Sequence, residues 1–317
     1  MMELSDCVLY GITPPKTGHT TERYEEIKGI QLQRIHGIQP DALIIYDIQD
    51  ESSRTNVERP FPFVETVQPD VYASELLVNS SISPIIYKSI GKLNALEFQN
   101  WLVNLKTKHL VLVGSPSSNI HPTLQLGEAY EITRSLRKDL QIGGIVIPER
   151  HQLKGDEHLR LLAKMEAGCS YFISQCVYSI ESTLNLLSDY QWSCKQHGIK
   201  MAPIIFTLTP CASEQTLQFM KWLGINVPKW IIHQLIQSEN MLQTSLELCS
   251  NLADHLIDFC SINQIPFGFN IESVSIRKQE IDASVALFHA IQSKMLMYKE
   301  KDLVFIENNQ YKSFNAI

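Results

Sequence analysis

Apolar and β-branched runs recur along the chain, ending near Tyr10, Tyr46, Tyr87, Val113, Ile147, Val177, Phe206 and Phe269. Most are separated by stretches with helical periodicity, such as Tyr24 to His36, Ala95 to Thr107 and Leu124 to Leu136. Strands alternating with helices pair in parallel, because each helix carries the chain back to the same edge of the sheet. Eight such units over about 250 residues predict an α/β fold of the closed (β/α)8 TIM-barrel type, since an open doubly wound sheet normally uses fewer strands. The pattern places the barrel in a single domain over residues 1–294, with a C-terminal extension of unassigned role over 295–317. Two segments exceed a minimal barrel: the loop from Gln49 to Pro69, and the stretch between Phe206 and Ile265, which must hold more than one helix.

The segment Gly143 to Tyr178 reads as a strand, a polar loop, a helix and a second strand. Pro148 cannot donate to a strand ladder and marks the first strand's end. Glu149, Arg150 and His151 then fall at a C-terminal strand edge, where parallel α/β folds bind ligands. In the helix that follows, Asp156 is a candidate N-cap and Gly168 suits the left-handed position past the last turn. Glu157, Arg160 and Lys164 share one helix face. Such a face is either solvated and laced with weak ion pairs or a clamp for an anion. In the next strand, Gln175 either offers its amide to a flat heterocycle at the barrel mouth or bonds neighbouring backbone in the core.

Composition narrows the classes. With 317 residues, 44% of them hydrophobic, the chain can bury a large core. Its 27 basic and 34 acidic residues give a net charge of −7 without a basic block, so no nucleic-acid partner is expected. Seven scattered cysteines form no CxxC pair, which fits a reducing cytoplasm. No stretch approaches the ~18 apolar residues of a membrane span, and no signal peptide is visible, so a cytoplasmic location without membrane contact is expected. There is no GxGxxG, Walker loop or GxSxG elbow. The ten histidines include no HExxH, and Glu149, His151, Glu157 and His158 lack a recognised ligand spacing, so no metal centre is expected.

The order PERH (148–151), KMEAGCSYFISQ (164–175), GIKMAPI (198–204) and WLGINVPKW (222–230), with the early YGITPPK (10–16), resembles the methylenetetrahydrofolate reductase family. The similarity runs from about Val8 to Ile291. It implies a (β/α)8 flavoprotein of one-carbon metabolism that reduces 5,10-methylenetetrahydrofolate to 5-methyltetrahydrofolate with FAD and NAD(P)H, and a possible homo-oligomer. By resemblance, His151, Glu157 and Lys164 serve FAD. Gln175 serves the folate pterin, and Ser115 occupies a substrate-side position.

Several family positions differ. Gly11 stands where the resemblance implies the glutamate that acts as general acid, Ser115 where it implies an aspartate, and Val113 where it implies an arginine. Ile45 and Ile85 replace a threonine and a histidine. Asp47, Asp50, Glu51 and Glu272 follow strands on the same face, either as caps and solvated acids or as replacements, with Asp47 and Glu272 the candidates for the catalytic acid. The reading implied first is a flavin-dependent reductase; the alternative is a folate-binding or methyl-transfer protein that has lost flavin reduction.

Overall fold

A computed structural model of the protein describes residues 4–52, 55–114 and 122–314, with side chains to residue 300. Eight strands form the barrel: β1 (Val8–Ile12), β2 (Ala42–Ile45), β3 (Ser83–Ser89), β4 (His109–Val113), β5 (Gln141–Val146), β6 (Cys169–Cys176), β7 (Ile204–Leu208) and β8 (Phe267–Ile271). They lie in sequence order, every neighbouring pair parallel, and β8 closes on β1. Each predicted strand end falls within two residues of an observed one.

Around the barrel run α1 (Thr21–Ile38), α2 (Pro69–Leu76), α3 (Ala95–Asn104), α4 (Leu126–Leu136), α5 (Pro148–Lys154) and α6 (Glu157–Glu166). They are followed by α7 (Ile180–His197), α8 (Glu214–Trp222), α9 (Lys229–Gln237), α10 (Met241–Asn263) and α11 (Lys278–Phe314). The stretch between Phe206 and Ile265 thus holds three helices. α11 crosses residue 294 without a break, and Met295 is buried in the core.

The strands are almost wholly buried because both faces are covered, which is why they read as continuous apolar runs rather than alternating ones. Alternation appears only in which core a residue joins. Val8, Tyr10 and Ile12 pack outward against the helices, while Leu9 joins Ile44, Ile85, Tyr171, Ile173 and Ile205 inside the barrel. Each such aliphatic side chain, fully buried, contributes about 1.5–3 kcal/mol. A third cluster, including Tyr178, Leu217, Met220 and Ile231, joins α8 and α9 to the β6 end.

Parallel pairing places every strand's C-terminus at one end, the mouth, and the loops there carry the candidate site. One of them departs from expectation. The segment after β5 is the short helix α5 rather than a polar loop, because Pro148 occupies its first turn, where its missing N–H costs nothing. Gly155, in the left-handed conformation, ends it. Asp156 stands at the N-cap of α6 but its side chain makes no capping bond. Gly168 takes φ +109°, the left-handed backbone expected after α6.

Candidate functional site

The register that sends Leu9 inward also sends Gly11 inward, at the mouth end of β1. A Cβ there would lie 2.7 Å from a ring carbon of Tyr46 and 3.2 Å from Cβ of Glu272. The space a larger first-strand side chain would need is therefore filled from the two neighbouring strands. Glu272 follows β8, and its carboxylate accepts a hydrogen bond from the Cys176 thiol at 3.1 Å. Burial raises its pKa, opposed by hydrogen bonds from Tyr46, Cys176 and Asn270. The Asn270 amide nitrogen, fully buried on β8, donates to the Tyr46 hydroxyl at 2.9 Å and to Thr207 at 3.2 Å. Its Oδ1 is buried without a partner. Gly11, Tyr46, Cys176, Thr207, Asn270 and Glu272 thus form one polar cluster in an otherwise apolar interior.

Asp47 is differently employed. It accepts from the Ser89 backbone N–H at 2.7 Å and the Gln49 amide at 2.8 Å, tying the loop after β2 to the end of β3. Burial raises its pKa, and the bond from Ser89 opposes the shift. Asp50 accepts from the backbone and hydroxyl of Ser52, as a turn residue does. Farther along, this loop reaches α8. The Trp222 indole donates to Val57 O at 2.9 Å, and the Arg59 guanidinium lies 5.1–5.4 Å from the ring centres of Phe63, Phe219 and Trp222.

On the β5 side, the charged face of α6 is divided: Arg160 is exposed, while Glu157 and Lys164 turn toward the end of β5. Glu157 is fully buried and accepts from the Ile147 backbone N–H at 3.1 Å and from Arg150 at 3.3 Å. Lys164 donates to the Ile145 carbonyl, and burial lowers its pKa. These two side chains bind α6 to the end of β5. His151, also buried, pairs through Nε2 with Asp189 Oδ2 on α7 at 3.1 Å, and its ring stands 5.3 Å from that of His158 on α6. Burial lowers the pKa of His158.

Glu149 at the start of α5 is 5% exposed, and neither carboxyl oxygen has a hydrogen-bond partner in another residue. Burial raises its pKa to about 7. Its charge adds, after burial and Glu272, to the rise in the pKa of the Cys176 thiol.

Gln175 lies at the C-terminal end of β6, but a register irregularity between Ile173 and Cys176 re-aims the strand there. Cys176, not Gln175, meets Glu272. The Gln175 amide nitrogen donates to Leu223 O at 3.2 Å beyond α8, while its Oε1 is buried and unpartnered. Ile45 joins the outer core, so the β2 residue at the mouth is Tyr46; Ile85 lies in the inner core. Ser115 lies outside the described residues. Sequence reasoning placed Glu149 at the ligand-binding edge but missed Tyr46, Cys176, Thr207 and Asn270. The logic applied to Gln175, a lone polar residue in an apolar strand, would have found Asn270 in FGFNI and Thr207 in IIFTL.

A cleft of about 860 Å³ lined by Asp70, Pro84, Thr107 and Gln141 opens at the N-terminal ends of β3, β4 and β5. That is the end opposite the polar cluster. Among the described residues no helix is long and apolar enough to cross a membrane.

Residues 120–265 match the family model described as methylenetetrahydrofolate reductase. No curated protein matches the chain. Among solved structures, a Clostridium thermocellum protein is 42% identical, with a TM-score of 0.81 over 91% of this chain and 96% of that one. It is described as uncharacterized and as binding two copies of 5-methyl-5,6,7,8-tetrahydrofolic acid. Dihydropteroate synthases from Xanthomonas albilineans (14% identical, TM-score 0.44, 90% of this chain and 92% of that one) and Vibrio fischeri (10%, 0.45, 91% and 92%) also match, too distantly to carry an argument. Full-length likeness to the Clostridium protein, together with the family match over β5 to α10, shows that this chain belongs to the methylenetetrahydrofolate reductase family.

Proposed function

We propose that this protein binds a reduced folate of the 5-methyltetrahydrofolate type at the barrel mouth, as a folate-binding or methyl-transfer member of its family. The observation that carries this reading is the pair of buried, unpartnered amide oxygens, Gln175 Oε1 and Asn270 Oδ1, near the strand C-termini. Unmet acceptors of this kind cost free energy unless something binds them. A pterin presents several N–H donors on one edge, and these two oxygens and the Glu272 carboxyl are the acceptors to receive them. The 42% identical Clostridium protein, described as binding 5-methyltetrahydrofolic acid, supports the choice of ligand.

Glu272 takes the part of the acid that the resemblance implied at the first strand. Its Cβ lies 3.2 Å from where a Gly11 side chain would begin, so its carboxyl enters the same corner of the mouth from β8. A carboxyl with a raised pKa keeps its proton nearer neutrality and can deliver it to a folate nitrogen as a carbon–nitrogen bond is made or broken. Asp47 is the weaker candidate, since its oxygens already hold Ser89 and Gln49.

The residues implied to hold FAD do not fit that group in this arrangement. Glu157 is enclosed between Ile147 and Arg150, Lys164 is turned onto Ile145 O, and His151 is paired with Asp189. Their partners are structural, and we derive no step through a flavin.

Isothermal titration of the full chain with 5-methyltetrahydrofolate tests the reading. Saturable binding, weakened about 10-fold or more by Gln175→Ala and Glu272→Gln, is expected. An absence of binding would overturn it. The visible spectrum after adding FAD and removing the unbound part separates the alternatives: retained flavin bands would restore the reductase reading, and a colourless protein that binds folate upholds this one.

A further inference from the structure

We propose that His151, His158 and Asp189 form a binding site for a divalent transition-metal ion of the zinc class where α5, α6 and α7 meet. One ligand atom from each residue lies within 4.8 Å of the other two. His151 Nε2 and Asp189 Oδ2 are already 3.1 Å apart, a separation neighbouring ligands of one tetrahedral ion can take. The two imidazole rings stand 5.3 Å apart at 85°, so they approach the common point from different directions rather than stacking.

A second observation is independent of that spacing. The Nδ1 atom of His158 is buried and without a hydrogen-bond partner, which leaves it for an ion that His151 meets through Nε2. His151 is only 6% exposed. Metal-bound imidazoles use one ring nitrogen on the ion and leave the other to a nearby group or water.

The donor set selects the ion. Two imidazoles with one carboxylate suit zinc and its neighbours, whereas calcium and magnesium prefer oxygen ligands throughout. Three protein ligands leave a fourth position for water or an external group. Asp189, 55% exposed, gives the ion a route in from solvent. Asp156, whose Oδ1 is buried without a hydrogen-bond partner and 3.9 Å from Arg160 Nε, is close enough to act electrostatically on His158.

No local spacing announces this site. His151 and His158 lie on different helices, and Asp189 arrives from a third. Occupancy would pin α5 to α6 and α7. Since α5 begins with Pro148 and Glu149, an ion here would hold the unpaired Glu149 carboxyl in its place beside the mouth.

The test uses the full chain, dialysed against a chelator and then titrated calorimetrically with zinc chloride. One tight equivalent is expected, with affinity falling about 10- to 100-fold or more in both His158→Ala and Asp189→Asn. Cobalt(II) substituted for zinc should give intense visible bands of a four-coordinate site in the wild type, absent in either variant. Both positions keep some exposure, and the Asp189→Asn change preserves shape, so circular dichroism should report a native fold. Failure of the wild type to bind zinc saturably, or binding of equal affinity in both variants, would overturn the proposal.

Discussion

Glu149 shows how a single side chain can tie stability to pH. Its carboxyl moves from an ordinary value of 4.5 to about 7 on folding because it is buried without a partner. The folded chain therefore keeps a proton that the unfolded chain releases between those values. Stability falls as pH rises through that window, by up to roughly 3 kcal/mol once both states have ionised. Glu149→Gln removes the ionisable group while preserving its size. The variant should melt near the wild-type temperature at pH 4.5 and above it at pH 8, a difference that thermal melts across the range would read; parallel wild-type and variant profiles would refute the assignment. Gly11 and Glu272 illustrate a different point at this scale. From the sequence, Gly11 reads as the loss of an acid, yet the same corner of the mouth is reached from β8. The sequence offered both Asp47 and Glu272 as candidates for that acid; what it could not show is that Glu272, and not Asp47, stands beside Gly11.

At the scale of elements, the junction of β5, α5 and α6 depends on Glu157. Its carboxylate satisfies the Ile147 N–H, which Pro148 and the short α5 leave outside any ladder, and it neutralises Arg150. Glu157→Ala would leave a buried donor unmet and a partly buried cation unpaired, at a cost of roughly 2–4 kcal/mol measurable by urea unfolding. Loss of less than about 0.5 kcal/mol would mean that the face is as solvated as its sequence suggests. The shared face of Glu157, Arg160 and Lys164 follows directly from helical spacing. Whether that face meets water or the end of β5 depends on how α6 docks, which spacing does not encode. β6 teaches the same lesson. Strict alternation from Ile173 would send Gln175 inward, but the irregular register exchanges it with Cys176.

For the whole molecule, closure of eight parallel strands gathers groups that are far apart in the chain. Tyr46 and Asn270 are separated by 224 positions and share a hydrogen bond of 2.9 Å. The loop after β2 reaches α8, where Val57 O accepts from the Trp222 indole. A ligand seated in the mouth binds only the closed barrel, so its binding energy adds to folding. Adding 5-methyltetrahydrofolate at one hundred times its Kd should stabilise the protein by about 2.7 kcal/mol and raise the melting temperature by a few degrees. The shift should shrink in Glu272→Gln; an equal shift in the variant would place the ligand elsewhere.

The sequence by itself determined the eight strands and the barrel they form, because strand and helix periods are local and a chain alternating between them has few ways to bury both faces of its strands. It also carried the family, through motifs from β5 to α9 that survive as contiguous letters. The tertiary structure decided which polar residues meet. Glu272 beside Gly11, Cys176 against Glu272, and His151 with His158 and Asp189 are each assembled from separate elements. Their proximity is set by strand register and helix docking, and those are fixed only when the barrel closes.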